Sequence, residues 1–289
     1  MKRKLSFTVT QEYDGKKLIA FLRGGAKFSS SIVGTLRHTQ GGVLKNGTPI
    51  RMIDTVNSGD AITVNLPDNS REPELFDYPL DIIFEDEDIL VVNKPAGLSM
   101  HPTYNHPNGT LANAAAFYLN QKGMDASCVR AVGRLDKGTS GVSVLALNTY
   151  AASRLNGKLK KEYFAVVSGL LYGSGTIDAE IYRPYSDKTV RAVGHGSAAV
   201  TQWSVEKQIG DYSLVRVFPQ TGRTHQIRVH FAYIGMPLLG DKMYNGKMND
   251  NIDRPALHCE KVSLIHPVSN EPMIFPAPLP DDFIKIISF

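Results

Sequence analysis

The clearest candidate for chemistry in this 289-residue chain is one carboxylate, Asp136. It lies in the segment GRLDKGTSGVSVLAL, residues 133–147. Glycines 133, 138 and 141 punctuate the loop, and the apolar run from Val142 onward reads as a buried strand. A carboxylate on a Gly-flanked loop beside a rigid strand is both held and reachable, the setting of a nucleophile or a base. The same setting also suits an Asp that only orders its loop through its own backbone, and composition by itself favours that blander role.

Other chemistries fit less well. Aspartyl-phosphate pumps use a superficially similar Asp-Lys-Thr run, but that chemistry demands membrane helices, and no stretch here approaches the length of a span. The phosphate-cradling pattern GxxxxGK[ST] does not occur. His225 and His230 are five apart, which on a helix turns them to different faces, unlike the i, i+4 pair of zinc proteases. His101 with His106, and His258 with Cys259 and His266, lack a metal-ligand spacing, so no metal is expected.

Positioning Asp136 falls to alternating strands and short helices. ILVVNK (89–94) reads as a buried strand ended by Pro95. Thr110 caps an Ala-rich helix to about Gln121, with Gly123 past its end. GVSVLAL is a strand, Thr149–Lys160 a helix and EYFAVVSG a strand. Residues 198–218 form a hairpin turning near Gly210-Asp211, and RTHQIRVHFAYI is a helix stopped by Gly235. Upstream, Lys16–Phe28 is helix-like, and the serines at 29–31 offer an N-cap to a helix over Ile32–His38. Strands then follow, with turns at Asn46-Gly47 and Ser58-Gly59-Asp60. There are too few regular βα alternations for a doubly wound sheet.

The composition is ordinarily globular, with 42% hydrophobic and 21% charged residues, so a packed core is expected. Charge is unevenly spread. Residues 1–67 carry a balance of +6, residues 68–93 one of −8, and the rest +6. Two basic bodies around an acidic stretch fit two nucleic-acid-facing domains and a linker that avoids phosphate; an ordinary solvated acidic loop fits equally. The boundaries read as 1–67, an acidic linker at 68–80, and 81–289. Two cysteines make no disulfide framework, and the N-terminus lacks the apolar core of a signal peptide, so a cytoplasmic protein is expected.

The segment around Asp136 resembles the catalytic signature HRLDxxTSG of the RluA-like, ribosomal large-subunit type of pseudouridine synthase. VVNKPAGLSMHPT (91–103) is similar to that family's first motif and KKEYFAVVSG (160–169) to its tyrosine strand. QTGRTHQIRVHFAYIGMPLLGDKMY (220–244) is similar to its C-terminal arginine motif. All four occur in the family's order. Residues 1–67, with Lys45-Asn46-Gly47 and Gly59-Asp60, resemble a small RNA-binding module of a small-subunit ribosomal protein.

The resemblance implies an α+β fold: a mixed, largely antiparallel sheet with flanking helices, plus a small N-terminal α/β module. It implies isomerisation of uridine to pseudouridine in structured RNA, either ribosomal or transfer RNA, by a monomer without cofactor or membrane. Asp136 would be the catalytic carboxylate, acting as nucleophile or base. Tyr163 would lie against the base and help remove the carbon-5 proton. Arg228 would pair with Asp136 and hold it ionised. Arg134 would fill the gap left by a flipped uridine, Ile227 would form the apolar wall, and Lys94, Arg223 and His225 would complete the substrate contacts. Arg223, placed on the same helix as Arg228, would face elsewhere and serve RNA affinity. Two positions depart from the family pattern: Gly133 stands where His is usual, and Lys137 where Arg is common, which loses the bidentate fork. A non-catalytic RNA-binding protein on the same fold is the alternative, though such a protein needs none of Asp136, Tyr163 and Arg228.

Overall fold

A computed structural model describes residues 3–66, 73–102 and 107–288. Residues 68–72 of the acidic linker, and His106, lie outside the described residues.

The N-terminal sheet has the order β1-β4-β2-β3, all antiparallel, from β1 (Lys4–Thr8), β2 (Val43–Lys45), β3 (Thr48–Pro49) and β4 (Ala61–Asn65). Helices α1 (Leu18–Gly24) and α2 (Ser30–Arg37) pack on it. Ser29 caps α2, its hydroxyl accepting from the Ile32 N–H. The two sequence-marked turns are one device. Asn46, at φ 49°, accepts from the Ala61 N–H and donates to Asp60 (both 2.8 Å), and Lys45 pairs with the same Asp60 at 2.7 Å.

The larger sheet contains ten strands. Its main path is β10 (Ser174–Asp178), β13 (Val200–Ile209), β14 (Tyr212–Pro219), β9 (Lys160–Ser168), β15 (Leu257–Ile265), β8 (Ser140–Ala146), β6 (Ile89–Lys94) and β5 (Ile82–Glu85). The strand β7 (Arg130–Val132) adds to β8, and β16 (Pro272–Pro276) adds to β15. Strands β11 (Ile181–Tyr182) and β12 (Ala192–Val193) form a separate pair. Only β8 and β15 run parallel, so the sheet is mixed and largely antiparallel. Every residue of β8 is buried, which explains a run that is apolar on both faces apart from Ser140 and Ser143. Helix α3 (Leu111–Gln121) begins at a Thr110–Asn113 capping box. Helices α4 (Thr149–Leu155), α5 (Gln226–Tyr233) and α6 (Asp281–Ile287) complete the fold, which is α+β.

Three sequence readings change. The helix expected over 149–160 ends at Leu155, because Asn156 turns extended, Gly157 takes φ +71°, and Lys160 already belongs to β9. The last expected helix starts at Gln226 rather than Arg223, because His225 is left-handed (φ 57°, ψ 17°). The described part of the acidic linker is strapped to the large core. The Asn113 amide donates to the Glu74 carbonyl (2.8 Å), and Phe76 stacks with Tyr78 at 5.4 Å against that core.

The two sheets also share side chains. Tyr150 of α4 sits in the N-terminal core 4.7 Å from the Phe28 ring and donates to the Ala26 carbonyl at 3.0 Å. Arg3 donates to both Asp88 oxygens, at 3.0 and 2.7 Å.

Candidate active site

Asp136 occupies the turn from β7 to β8. The Thr139 N–H donates back to the Asp136 carbonyl (3.0 Å), and the Gly97 N–H holds the Lys137 carbonyl at 2.7 Å. Leu135 and Thr139 are buried on either side, so the turn is pinned at both shoulders while the carboxylate stays partly open. Gly141, two residues into the strand pair, has φ +113°, and a Cβ there would collide with the Cys259 backbone. The parallel pairing of β8 and β15 that fixes the Asp136 turn therefore needs glycine at this point.

The turn forms one side of a cavity of about 390 Å³. Arg134, Asp136, Lys161, Tyr163, Arg223, His225, Ile227 and Arg228 are all on its walls. Six of the sequence-selected residues are thus gathered with Asp136.

Arg228, on α5, is buried, and its Nη1 lies 3.6 Å from the Asp136 carboxylate. Its closer partner is a residue that the sequence reading did not assign, Asp241. Arg228 Nε and Nη2 donate to the two Asp241 oxygens at 2.7 and 2.8 Å, a bidentate fork. The guanidinium also lies 5.1 Å from the Tyr244 ring centre. Asp241 is itself fixed, as it accepts from the Met243 N–H at the start of the short helical turn Lys242–Tyr244. Arg228 therefore has one edge locked by Asp241 and the remaining amine turned to Asp136. That is a correction to the expected simple pair: Asp136 receives only a longer contact.

Tyr163 stands on β9, buried, with its phenol pushed well above the usual range by burial and by the neighbouring Cys259 thiol and Asp136. Ile227, on α5, is buried and lines the same cavity. Arg134 is exposed, with one 3.4 Å contact to Thr224. Arg223 is exposed in the loop before α5, not on the helix, and donates to the Ala198 carbonyl at 3.0 Å.

Lys94 does not line this cavity. It is fully buried and donates to the Pro95 and Leu98 carbonyls (2.8 and 2.9 Å), holding the turn after β6. Burial, then the nearby Arg254, pushes its ammonium down to about 7. The expected substrate contact is replaced by a structural one, since an amine without exposed surface cannot reach RNA. Lys161, also unassigned from sequence, reaches the cavity, and its ammonium donates to the Arg134 carbonyl at 3.3 Å. A Cβ on Gly133 would stand 3.2 Å from that ammonium, so glycine at the position where the family usually has histidine leaves the lysine its place.

His258 is buried against the Ser140 hydroxyl (2.9 Å) and Cys259 is a buried free thiol, so neither is poised as a ligand. Among the described residues, Asp86, Asp88 and His266 bring potential ligand atoms within 4.8 Å of one another. Their oxygens are already engaged. Asp88 accepts from Arg3 and Asn148, and Asp86 accepts from two backbone N–H groups and lies 2.9 Å from His266.

The family model described as RNA pseudouridylate synthase matches residues 88–233. The chain is 38% identical to "Uncharacterized RNA pseudouridine synthase YjbO" of Bacillus subtilis, over 91% of this chain and 96% of that one. It is 37% identical to "Ribosomal large subunit pseudouridine synthase D" of Haemophilus influenzae, over 78% of this chain and 75% of that one. Among solved structures, "Human RNA Pseudouridylate Synthase Domain Containing 1" superposes with a TM-score of 0.56 at 26% identity, covering 70% of this chain and 84% of that chain. On this sequence evidence, with the fold to match, the chain belongs to the RNA pseudouridylate synthase family, isomerases that act on uridine in RNA.

Proposed function

We propose that this enzyme works on large-subunit ribosomal RNA, flipping a uridine into the cavity and isomerising it through Asp136. The observation that carries this reading is the Asp136–Arg228–Asp241 chain, an open carboxylate facing an arginine whose other edge is locked. A nucleophilic or basic carboxylate works as an anion, and a fixed guanidinium facing it supplies the opposite charge in a site that RNA would close to water.

The rearrangement breaks the bond from N1 to ribose C1′, the electron pair leaving with N1. Asp136 meets the electron-poor ribose by bonding to C1′ or by taking the proton beside it. C5 then supplies the pair for the new bond to C1′, as the carboxylate leaves C1′ with its own pair or returns the ribose proton; the proton that C5 loses is balanced by the one that N1 gains. Nothing is oxidised or reduced and the formula is unchanged, so the balance requires no cofactor.

Tyr163 and Ile227 are the apolar bed for the base. Arg134 enters the gap left in the RNA, since extrusion costs a few kcal/mol, and Arg223 contacts phosphate. Residues 1–67 are read as an RNA-gripping module, residues 81–289 as the catalytic body, and the protein as a cytoplasmic monomer. The ribosomal assignment is supported by the name of the Haemophilus relative.

The test is to map pseudouridine in total RNA from cells with the wild-type protein, with Asp136→Asn, or with neither. A ribosomal position should be modified only with wild type, while purified Asp136→Asn still folds and binds the same RNA. Modification confined to transfer RNA would overturn the substrate, and product at near wild-type rate from Asp136→Asn would overturn the catalytic assignment.

A further inference from the structure

His225 has a backbone that few side chains adopt and a set of contacts that hold it there. Its left-handed conformation crowds the Cβ of an L-residue against its own backbone. The next residue is anchored: the buried Gln226 amide donates to the Val200 carbonyl and the Thr201 hydroxyl, both at 3.0 Å. Its carbonyl accepts from Thr221 and from the Arg223 N–H. The imidazole is aimed as well. Its Nδ1 lies 3.0 Å from the Tyr244 hydroxyl, which also accepts from the Arg191 N–H at 2.8 Å. Among the described residues the other ring nitrogen, Nε2, has no partner, and His225 lines the same cavity as Asp136.

Resting on the proposed reaction, we propose that His225 Nε2–H is the hydrogen-bond donor that holds the uracil ring while it is detached from ribose C1′ and turns. The Tyr244 hydroxyl accepts from the Arg191 N–H, which leaves its own proton for Nδ1 and, on this proposal, the imidazole proton on Nε2. Burial, against the field of Asp136, keeps the ring below its usual protonation range, so it is neutral near pH 7; Arg228 and Arg191 push the same way, Asp241 the other.

Uracil's own geometry makes one donor sufficient. Exchanging N1 for C5 opposite the ribose is a half-turn about the ring axis through N3 and C6. That half-turn also exchanges the two carbonyls, C2=O and C4=O. A fixed donor that meets one carbonyl before the turn meets the other after it, so the base stays tethered at both ends of its rotation.

The experiment compares wild type, His225→Asn and Tyr244→Phe in single turnover. Asn tolerates the left-handed backbone but is shorter, and Phe removes only the hydroxyl that aims the ring. The readout is the ratio of free uracil plus hydrolysed ribose (water adding to C1′ in place of C5) to pseudouridine. His225→Asn should raise that ratio on the order of tenfold, as expected for losing one hydrogen bond in a dry site, and Tyr244→Phe should raise it less. Replacing O2 or O4 of the target uridine with sulfur, a weak acceptor, should each slow rejoining by wild type and neither slow His225→Asn further. An unchanged ratio in His225→Asn, or a slowing by sulfur at one position only, overturns the proposal while leaving the isomerase reading intact. Absence of pseudouridine with wild type would overturn that reading itself.

Discussion

Arg228 and Arg134 line one cavity but are held in different ways. Arg228 is buried, forked onto Asp241, and lies against the Tyr244 ring, and its neighbour His225 is strained and aimed. Arg134 is exposed, with one long contact to Thr224, and Arg223, also exposed on the cavity, has one backbone partner. The difference separates two tasks. Stabilising charge in a transition state requires groups already in position, because reorganisation then would raise the barrier. Gathering a large polyanion uses exposed cations that adapt to it.

The largest test of that contrast is Arg228→Ala. It leaves Asp241 buried without its cation, and breaking a buried pair costs about 3–5 kcal/mol. Turnover should fall on the order of 10²–10³-fold, measured as single-turnover rate at saturating RNA, with affinity little changed. Arg228→Lys should do nearly as badly, because an ammonium cannot fork onto Asp241 and also face Asp136. Full rate in the lysine variant would break the claim that the locked edge matters.

Below the Asp136 turn the anchoring should also appear in stability against pH. His258 is buried against Ser140, and burial drives its imidazole down to about 4. The unfolded chain takes up that proton at about 6.5, the folded chain only near 4, so stability is complete above pH 6.5. It is lost progressively as pH falls toward 4, by about 3 kcal/mol at most. Urea titrations across this window should show the loss, and His258→Gln should flatten it. An equal slope in the variant would assign the acid sensitivity elsewhere.

Asp241→Asn is a finer cut. It keeps the shape and one acceptor but removes the charge that fixes Arg228, a loss of about 1.5–3 kcal/mol for a charged hydrogen bond. Turnover should drop on the order of tenfold to a hundredfold, with a matching loss of urea resistance. A variant as active and as stable as wild type would mean that Asp136 alone holds the arginine.

The smallest effect belongs to the loose side. Arg134→Ala should weaken RNA binding by less than about 1 kcal/mol, as exposed charges do, and lower the salt slope by about one. Turnover of bound RNA should stay within a few-fold. If its rate collapses as that of Arg228→Ala does, the division of tasks is wrong.

What the sequence revealed was local. Ser29 and Thr110 cap helices through contacts three residues away, and the hairpin turns at Gly210 as its polarity pattern implies. Asp136 was legible because its signature is contiguous. Asp241 was not, since it meets Arg228 from 13 residues downstream through a loop whose path no periodicity encodes. The start of α5 was misplaced for a related reason: the helix-like pattern runs through Thr224-His225, and polarity does not register a positive φ. Lys94 misled because a lysine ordinarily keeps its head in water, whereas this one satisfies two backbone carbonyls inside the fold.

Gly141 sets a limit of another kind. A side chain of any size there would strike the Cys259 backbone, and its φ of +113° disfavours every L-residue. Every single-base change in a glycine codon that keeps the chain intact and alters the residue adds a Cβ, so no one-step mutational path leads away from this position without prising β8 from β15. The residue does not line the cavity, yet across generations it should be as immovable as the carboxylate five positions before it.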